Sequence, residues 1–128
     1  MDDEKTRKKY IKKHPIWKEF YDLMDDVENQ SKDFNQLLSE LLDFSEKLLE
    51  EILNENIDTN EVVVLESAMD YILAYNPKKF YDELYSEVSD LYDSYMFSEE
   101  NEIEDIKTQL KRIKEFKKKW KKNNELNQ

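Results

Sequence analysis

A chain of 128 residues with no cysteine, no glycine, two prolines and one histidine excludes disulfides, thiolate metal sites and paired-histidine sites, and fits one domain of ordinary size. Charged residues make up 40% and apolar residues 38%, with a net charge of −11, so a modest core must be covered by solvated faces. Tight hairpins depend on residues at positive φ, usually glycine, so a chain without glycine points to an all-α fold.

Residues 3–13 read as a short first helix, with acids at its start and Lys12 and Lys13 at its end, as the helix dipole favours. Only Tyr10 and Ile11 are apolar in it, which predicts fraying over residues 1–14. His14 precedes Pro15, and a pre-proline residue is pushed out of the α region. Pro15 suits the first position of a second helix carrying Ile16, Trp17, Phe20, Tyr21, Met24 and Val27 at 3–4 spacing. Asn29, Gln30 and Ser31 read as a break, with Ser31 or Asp33 as the next cap. The strongest apolar stripe follows: Phe34, Leu37, Leu38, Leu41, Leu42, Ser45, Leu48, Leu49, Ile52 and Leu53. This helix is expected at the centre of the fold.

Residues 54–60 form a polar loop, and Asn60 is the expected cap of a helix running to about Ala74. Its start, Val62-Val63-Val64, is read as buried. Asn76-Pro77 repeats the cap-then-proline pattern before a helix over residues 77–96. Ser98 is read as capping a last helix with Ile103, Ile106, Leu110, Ile113, Phe116 and Trp120, close to a heptad seam. The predicted architecture is a compact bundle of five to six mostly antiparallel helices. It forms one domain over residues 1–122, with a disordered polar tail over 123–128.

Charge is unevenly placed. Residues 1–18 hold seven Lys/Arg and three acids, and residues 107–128 hold nine and two. Residues 19–106 hold four basic residues and 26 acids, a net of −22. Two uses follow. Either the basic ends pack on the acidic body and neutralise it, or one of the charged surfaces serves a partner. A cluster of Lys107, Lys111, Lys114, Lys117, Lys118 and Lys121 is the candidate anion-binding set. Lysines without arginine give little base readout, so nucleic-acid binding there would be nonspecific.

Four of the eight tyrosines, Tyr81, Tyr85, Tyr92 and Tyr95, lie in the helix after Pro77. A tyrosine ring with a wet hydroxyl suits the rim of a core or a protein interface. With Asp82, Glu83, Asp90 and Asp93 they form the candidate partner-binding set.

Chemistry is sparse. Acid pairs such as Asp25-Asp26 point to different helix faces. The loop after Asn54 has Thr59 where a calcium loop needs glycine and Leu65 where it needs the bidentate glutamate. Six residues separate Arg7 from His14, a spacing that resembles the Arg–His pair of the HEPN nucleases, themselves small helical bundles. In that family the pair sits on a later helix facing a dimer cleft, whereas here it ends against Pro15, so no nuclease site is assigned. No enzyme, cofactor or metal is expected.

The acidic start followed by lysines is not a signal-peptide pattern, and no run nears the roughly 20 apolar residues of a membrane span. A cytoplasmic location is expected, or the host cytoplasm for a viral protein. Richness in Lys, Asn, Ile and Tyr, with alanine only at 68 and 74, fits AT-rich coding such as a phage, plasmid or other mobile element. The expected function is a non-enzymatic protein–protein interaction module, regulatory or inhibitory. Its acidic, tyrosine-bearing helical surface would meet a partner protein with a basic surface, with DNA mimicry the sharpest form. The alternatives are nucleic-acid association through the Lys-rich ends and a structural homo-oligomer such as a homodimer.

Overall fold

The computed structural model describes residues 2–75, 90–92 and 103–126, with side chains over 4–75, 90–92 and 103–122. Five α-helices, α1 (Asp2–Lys13), α2 (Ile16–Asn29), α3 (Phe34–Leu53), α4 (Val63–Ala74) and α5 (Ile103–Leu126), account for almost all of it. A single 3-10 turn, Thr59–Val62, leads into α4, and residues 90–92 are also helical. There is no strand among the described residues, and the fold is an all-α bundle. None of the described helices is long and apolar enough to cross a membrane.

The hydrophobic core is organised around α3. Leu37, Leu38, Leu41, Leu42, Phe44, Leu48, Leu49 and Ile52 are all buried on it. Two elements pack along its sides. Trp17 and Phe20 of α2 meet Phe44 with ring centroids 5.9 and 5.5 Å away. Trp120 of α5 meets Phe34 at 6.5 Å and donates its indole N–H to the Ser39 hydroxyl at 2.9 Å. Late residues of α5 therefore lie beside early residues of α3, so the two helices are antiparallel. The pairing of Glu19 with Lys47 gives the same relation for α2 and α3. Helix α1 folds back on α2, where Tyr10 meets Trp17 edge-on at 6.1 Å.

One buried polar pair crosses this core. The Ser45 hydroxyl donates to the Leu41 carbonyl at 2.6 Å and lies 2.8 Å from the Tyr92 hydroxyl. Serine has one proton to give, so Tyr92 is the donor in the second bond. Tyr92 is fully buried. This corrects its assignment to a partner surface: its ring fills the core, and its hydroxyl is bonded there. Asp90 beside it is exposed. Tyr81, Tyr85, Tyr95, Asp82, Glu83 and Asp93 lie outside the described residues, as do most of the helix expected over 77–96 and the Ser98 cap.

The helix boundaries follow local chemistry. Asp33 forms a capping box with Gln36: the Asp33 carboxylate accepts from the Gln36 N–H at 2.9 Å, and the Gln36 side chain accepts from the Asp33 N–H at 3.1 Å. At the next junction Asp58, not Asn60, is the cap. Its carboxylate accepts from the Asn60 N–H at 2.9 Å and starts a 3-10 turn before α4. Asn60 is already inside that turn, so its N–H is one of the free donors that the Asp58 carboxylate, two residues upstream, can reach. Of the three valines only Val62 is buried, while Val63 is 49% exposed. Helix α5 runs on to Leu126, through residues expected to be a disordered tail.

Helices α2 and α3 both end in a Schellman motif built without glycine. Gln30 has φ 53° and Glu55 has φ 64°. The Ser31 N–H reaches back to the Asp26 carbonyl at 3.2 Å, and the Asn56 N–H to the Glu51 carbonyl at 3.0 Å. The left-handed conformation costs a residue with a Cβ about 1–2 kcal/mol. Gln30→Gly and Glu55→Gly are therefore each expected to raise the unfolding free energy by about 1 kcal/mol, offset in part by chain entropy. Urea denaturation checks this, and a loss of stability at either position would contradict the assignment.

Candidate functional site

The ion pairs show what the two basic ends do. On α5, Lys117 lies between Asp43 at 2.7 Å and Glu46 at 2.6 Å, and Lys114 faces Glu50 at 3.7 Å. All three acids belong to α3. On α1, Arg7 makes a two-pronged bridge to Asp25 of α2, with nitrogen–oxygen distances of 3.0 and 2.9 Å. Each basic end thus lies against the acidic helix beside it.

This divides the lysines proposed for anion binding. Lys114 and Lys117 face α3 carboxylates, and Lys107 lies 3.5 Å from Glu104 on its own helix. Lys111, Lys118 and Lys121 are exposed and make no ion pair among the described residues. The groove between α3 and α5 encloses about 530 Å³ and is lined by Ser39, Glu46, Lys117 and Trp120 among others. Its central cation is already held by two acids. Burial pulls the Lys117 ammonium toward deprotonation, but its hydrogen bonds to Asp43 and Glu46 more than offset this and hold its pKa above the ordinary 10.5.

The groove between α2 and α3, about 510 Å³, is lined by six carboxylates: Glu19, Asp22, Asp25, Asp26, Glu40 and Asp43. Each has a cation beside it. Lys32 bridges Asp26, at 3.0 Å, and Glu40. Lys47 pairs with Glu19 at 2.7 Å, Lys18 with Asp22 at 2.9 Å, and Arg7 and Lys117 take the other two. The bonds from Lys32 and Ser31 hold the Asp26 carboxyl below its usual range. Every carboxylate of this groove is thus in an ion pair, so it is not a bare acidic cleft.

The longest stretch of sequence without a cation lies elsewhere. Residues 48–77 carry seven acids and no Lys or Arg. They include α4, whose outward side bears Val63, Ser67, Asp70 and Ala74, with Tyr71 half-buried and Tyr75 38% exposed just beyond its end. The Tyr71 and Tyr75 rings meet edge-on, with centroids 5.3 Å apart. The pairing of its hydroxyl with Tyr75, burial, and the nearby carboxylates Glu28 and Asp25 all push the Tyr71 phenol above the ordinary 10.0. Those two acids belong to α2. On the same helix, one turn before Asp25, burial foremost raises the Tyr21 phenol, with Tyr10 and Glu61 adding to it. The Arg7 guanidinium sits over the Tyr21 ring, 4.9 Å from its centroid. Tyr21, Asp25, Glu28, Glu61, Tyr71 and Tyr75 therefore belong to one side of the molecule, where α2 and α4 meet.

Tyr21 and the Arg7–Asp25 bridge were missed from sequence, where Tyr21 counted only as part of an apolar stripe. A signal was present. Tyr21 and Asp25 are four residues apart on α2, which puts them on one face. Arg7 and Tyr21 each lie seven residues from His14, so an antiparallel hairpin turning there brings them together. His14 itself is half-buried at the end of α1. Among the described residues no group of three or more His, Cys, Asp or Glu is arranged to hold a metal ion.

The chain matches no family model, no curated protein sequence and no solved structure.

The Lys117 clasp has a measurable consequence. Lys117→Met leaves Asp43 and Glu46 facing each other, and is expected to cost about 1–2 kcal/mol at neutral pH, a partly exposed network being worth less than a buried one. Because the folded state raises the Lys117 pKa, its contribution is complete below 10.5 and is lost as pH rises further. The stability gap between wild type and variant, from urea denaturation, should therefore hold up to about pH 10 and shrink as the pH rises past 10.5. A constant gap would contradict the ion-pair account.

Proposed function

We propose that this protein is a non-enzymatic binding module, regulatory or inhibitory, whose acidic, tyrosine-bearing face between α2 and α4 takes a basic surface of a partner protein. The observation that supports this reading is the placement of Tyr71, Tyr75 and Tyr21 beside Asp25, Glu28 and Glu61. This face belongs partly to a stretch of sequence with no lysine or arginine of its own. Tyrosine contributes a large, rigid ring at low entropic cost, and a ring face flanked by carboxylates attracts Lys and Arg side chains. Mimicry of nucleic acid is the sharpest form of this reading. A phage or other mobile element would be a natural source for an inhibitor of that kind.

A second reading keeps one observation in its favour. Lys111, Lys118 and Lys121 are exposed, and Lys118 and Lys121 line the rim of the groove between α3 and α5. They form a strip on which a phosphate backbone would be held without sequence preference. The overall charge of −11 opposes it at long range.

Wild type and a Glu28→Lys/Glu61→Lys/Tyr71→Ser variant, used as baits in extracts of the source cells, separate the two readings. The expected outcome is a basic protein retained by wild type, released by salt and lost with the variant, while the variant keeps its helix content. Identical captures by both baits would sink the proposal. Binding of duplex DNA at low salt that is abolished by Lys118→Glu/Lys121→Glu would establish the second reading instead.

A further inference from the structure

The α2–α4 face already holds one basic element, the chain's own α1. This helix has six exposed or half-exposed cationic residues, Lys5, Arg7, Lys8, Lys9, Lys12 and Lys13, and two apolar ones. Tyr10 is 40% exposed and Ile11 only packs against the edge of the core. Twelve residues are too few to be stable as an isolated helix in water, so tertiary contact keeps it folded. Arg7 supplies the directional part of that contact. Its guanidinium meets both oxygens of Asp25 and stacks over Tyr21 at 4.9 Å. Planar fork and ring face are the two features that distinguish arginine from lysine. The contact is open to solvent, with the Arg7 and Asp25 side chains 36% and 43% exposed, so it is held loosely enough to exchange.

We propose that Arg7 is a resident copy of the partner's own contact: the seat formed by Tyr21 and Asp25 takes an arginine from a basic helical segment of the partner protein, which displaces α1. This rests on the reading above that the partner is a basic protein, and it adds both the residue type recognised and the segment that must move. Glu28 lies one turn beyond Asp25 on α2, with Tyr71 of α4 beside it, and the start of α1 that runs toward that end is acidic in sequence, Asp2-Asp3-Glu4, so an incoming helix with cations there gains contacts that α1 lacks. Until it arrives, α1 covers the seat and keeps it from casual cations.

The probe is a fluorescein-labelled synthetic peptide with the sequence of residues 2–13, titrated by anisotropy against the full-length chain at low salt. In wild type the tethered α1 competes at an effective concentration in roughly the millimolar range, and binding is expected to be weak. Arg7→Glu sets a carboxylate against Asp25 and opens the seat, and should bind the peptide about 10-fold tighter or better. Adding Asp25→Asn to that variant should return the affinity to the wild-type level. Arg7→Ala, which introduces no repulsion, should give a smaller gain in the same direction, and helix content should fall by no more than the 12 residues of α1 in any variant. Equal affinity for wild type and Arg7→Glu, including no binding to either, overturns the proposal. So does a gain that survives Asp25→Asn. If the proposal fails while the Glu28, Glu61 and Tyr71 substitutions still release the basic partner, the binding-module reading stands and only the role of α1 falls.

Discussion

The burial of α3 is the constraint on which the rest of the structure depends. Its apolar residues cover more than half of its circumference, and its polar ones, apart from the buried Ser45, are confined to roughly 160° at 3.6 residues per turn. A helix that apolar cannot stand without neighbours along both sides. Phe44 receives α2 and Phe34 receives α5, each through aromatic contacts. The narrow polar strip left between them is acidic. A lysine-rich helix is the fitting neighbour for it, and α5 supplies Lys114 and Lys117 on the side that faces α3.

Charge then follows from packing. The sequence suggests a strongly negative body with two positive ends, and the bundle lays each end on the acidic helix beside it. Helices α2 and α3 have cations at their carboxylates, whereas the segment containing α4 brings none of its own. An overall charge of −11 thus conceals one side where lysines pair with the carboxylates of α3 and another, between α2 and α4, where tyrosines stand among carboxylates and α1 brings Arg7. The proposed interface lies on that second side, where a partner's cations would compete with α1 for Asp25 and not with the lysines that clasp α3.

Much of this fold was legible in the chain. The 3–4 spacing from Phe34 to Leu53 marked the central helix, Pro15 marked the start of α2, and the cap of α3 was narrowed to Ser31 or Asp33, of which the backbone selects Asp33. Each of those signals is local. The Asp58 cap was misplaced by two residues because Asp, Asn and Thr all suit such a position, and only the backbone decides which side chain reaches an N–H. Tyr92 was assigned to a surface because a tyrosine at a helix edge reads as amphipathic. Its hydroxyl finds Ser45, 47 residues away, and no local pattern reveals a partner at that distance. The Arg7–Tyr21–Asp25 contact depends on the register of the α1–α2 hairpin. That register was available from the turn at His14 but does not show as periodicity within either helix.

The central claim is that the two basic ends balance α2 and α3 and leave the α2–α4 face negative. Near-surface electrostatic potentials test it most directly. They can be obtained residue by residue from the relaxation of amide protons by matched cationic and anionic nitroxide cosolutes. The account predicts strong enrichment of the cation over the anion at amides of residues 63–75, and near-balance or anion preference at residues 114–121 of α5. A potential equally negative over both stretches would contradict it.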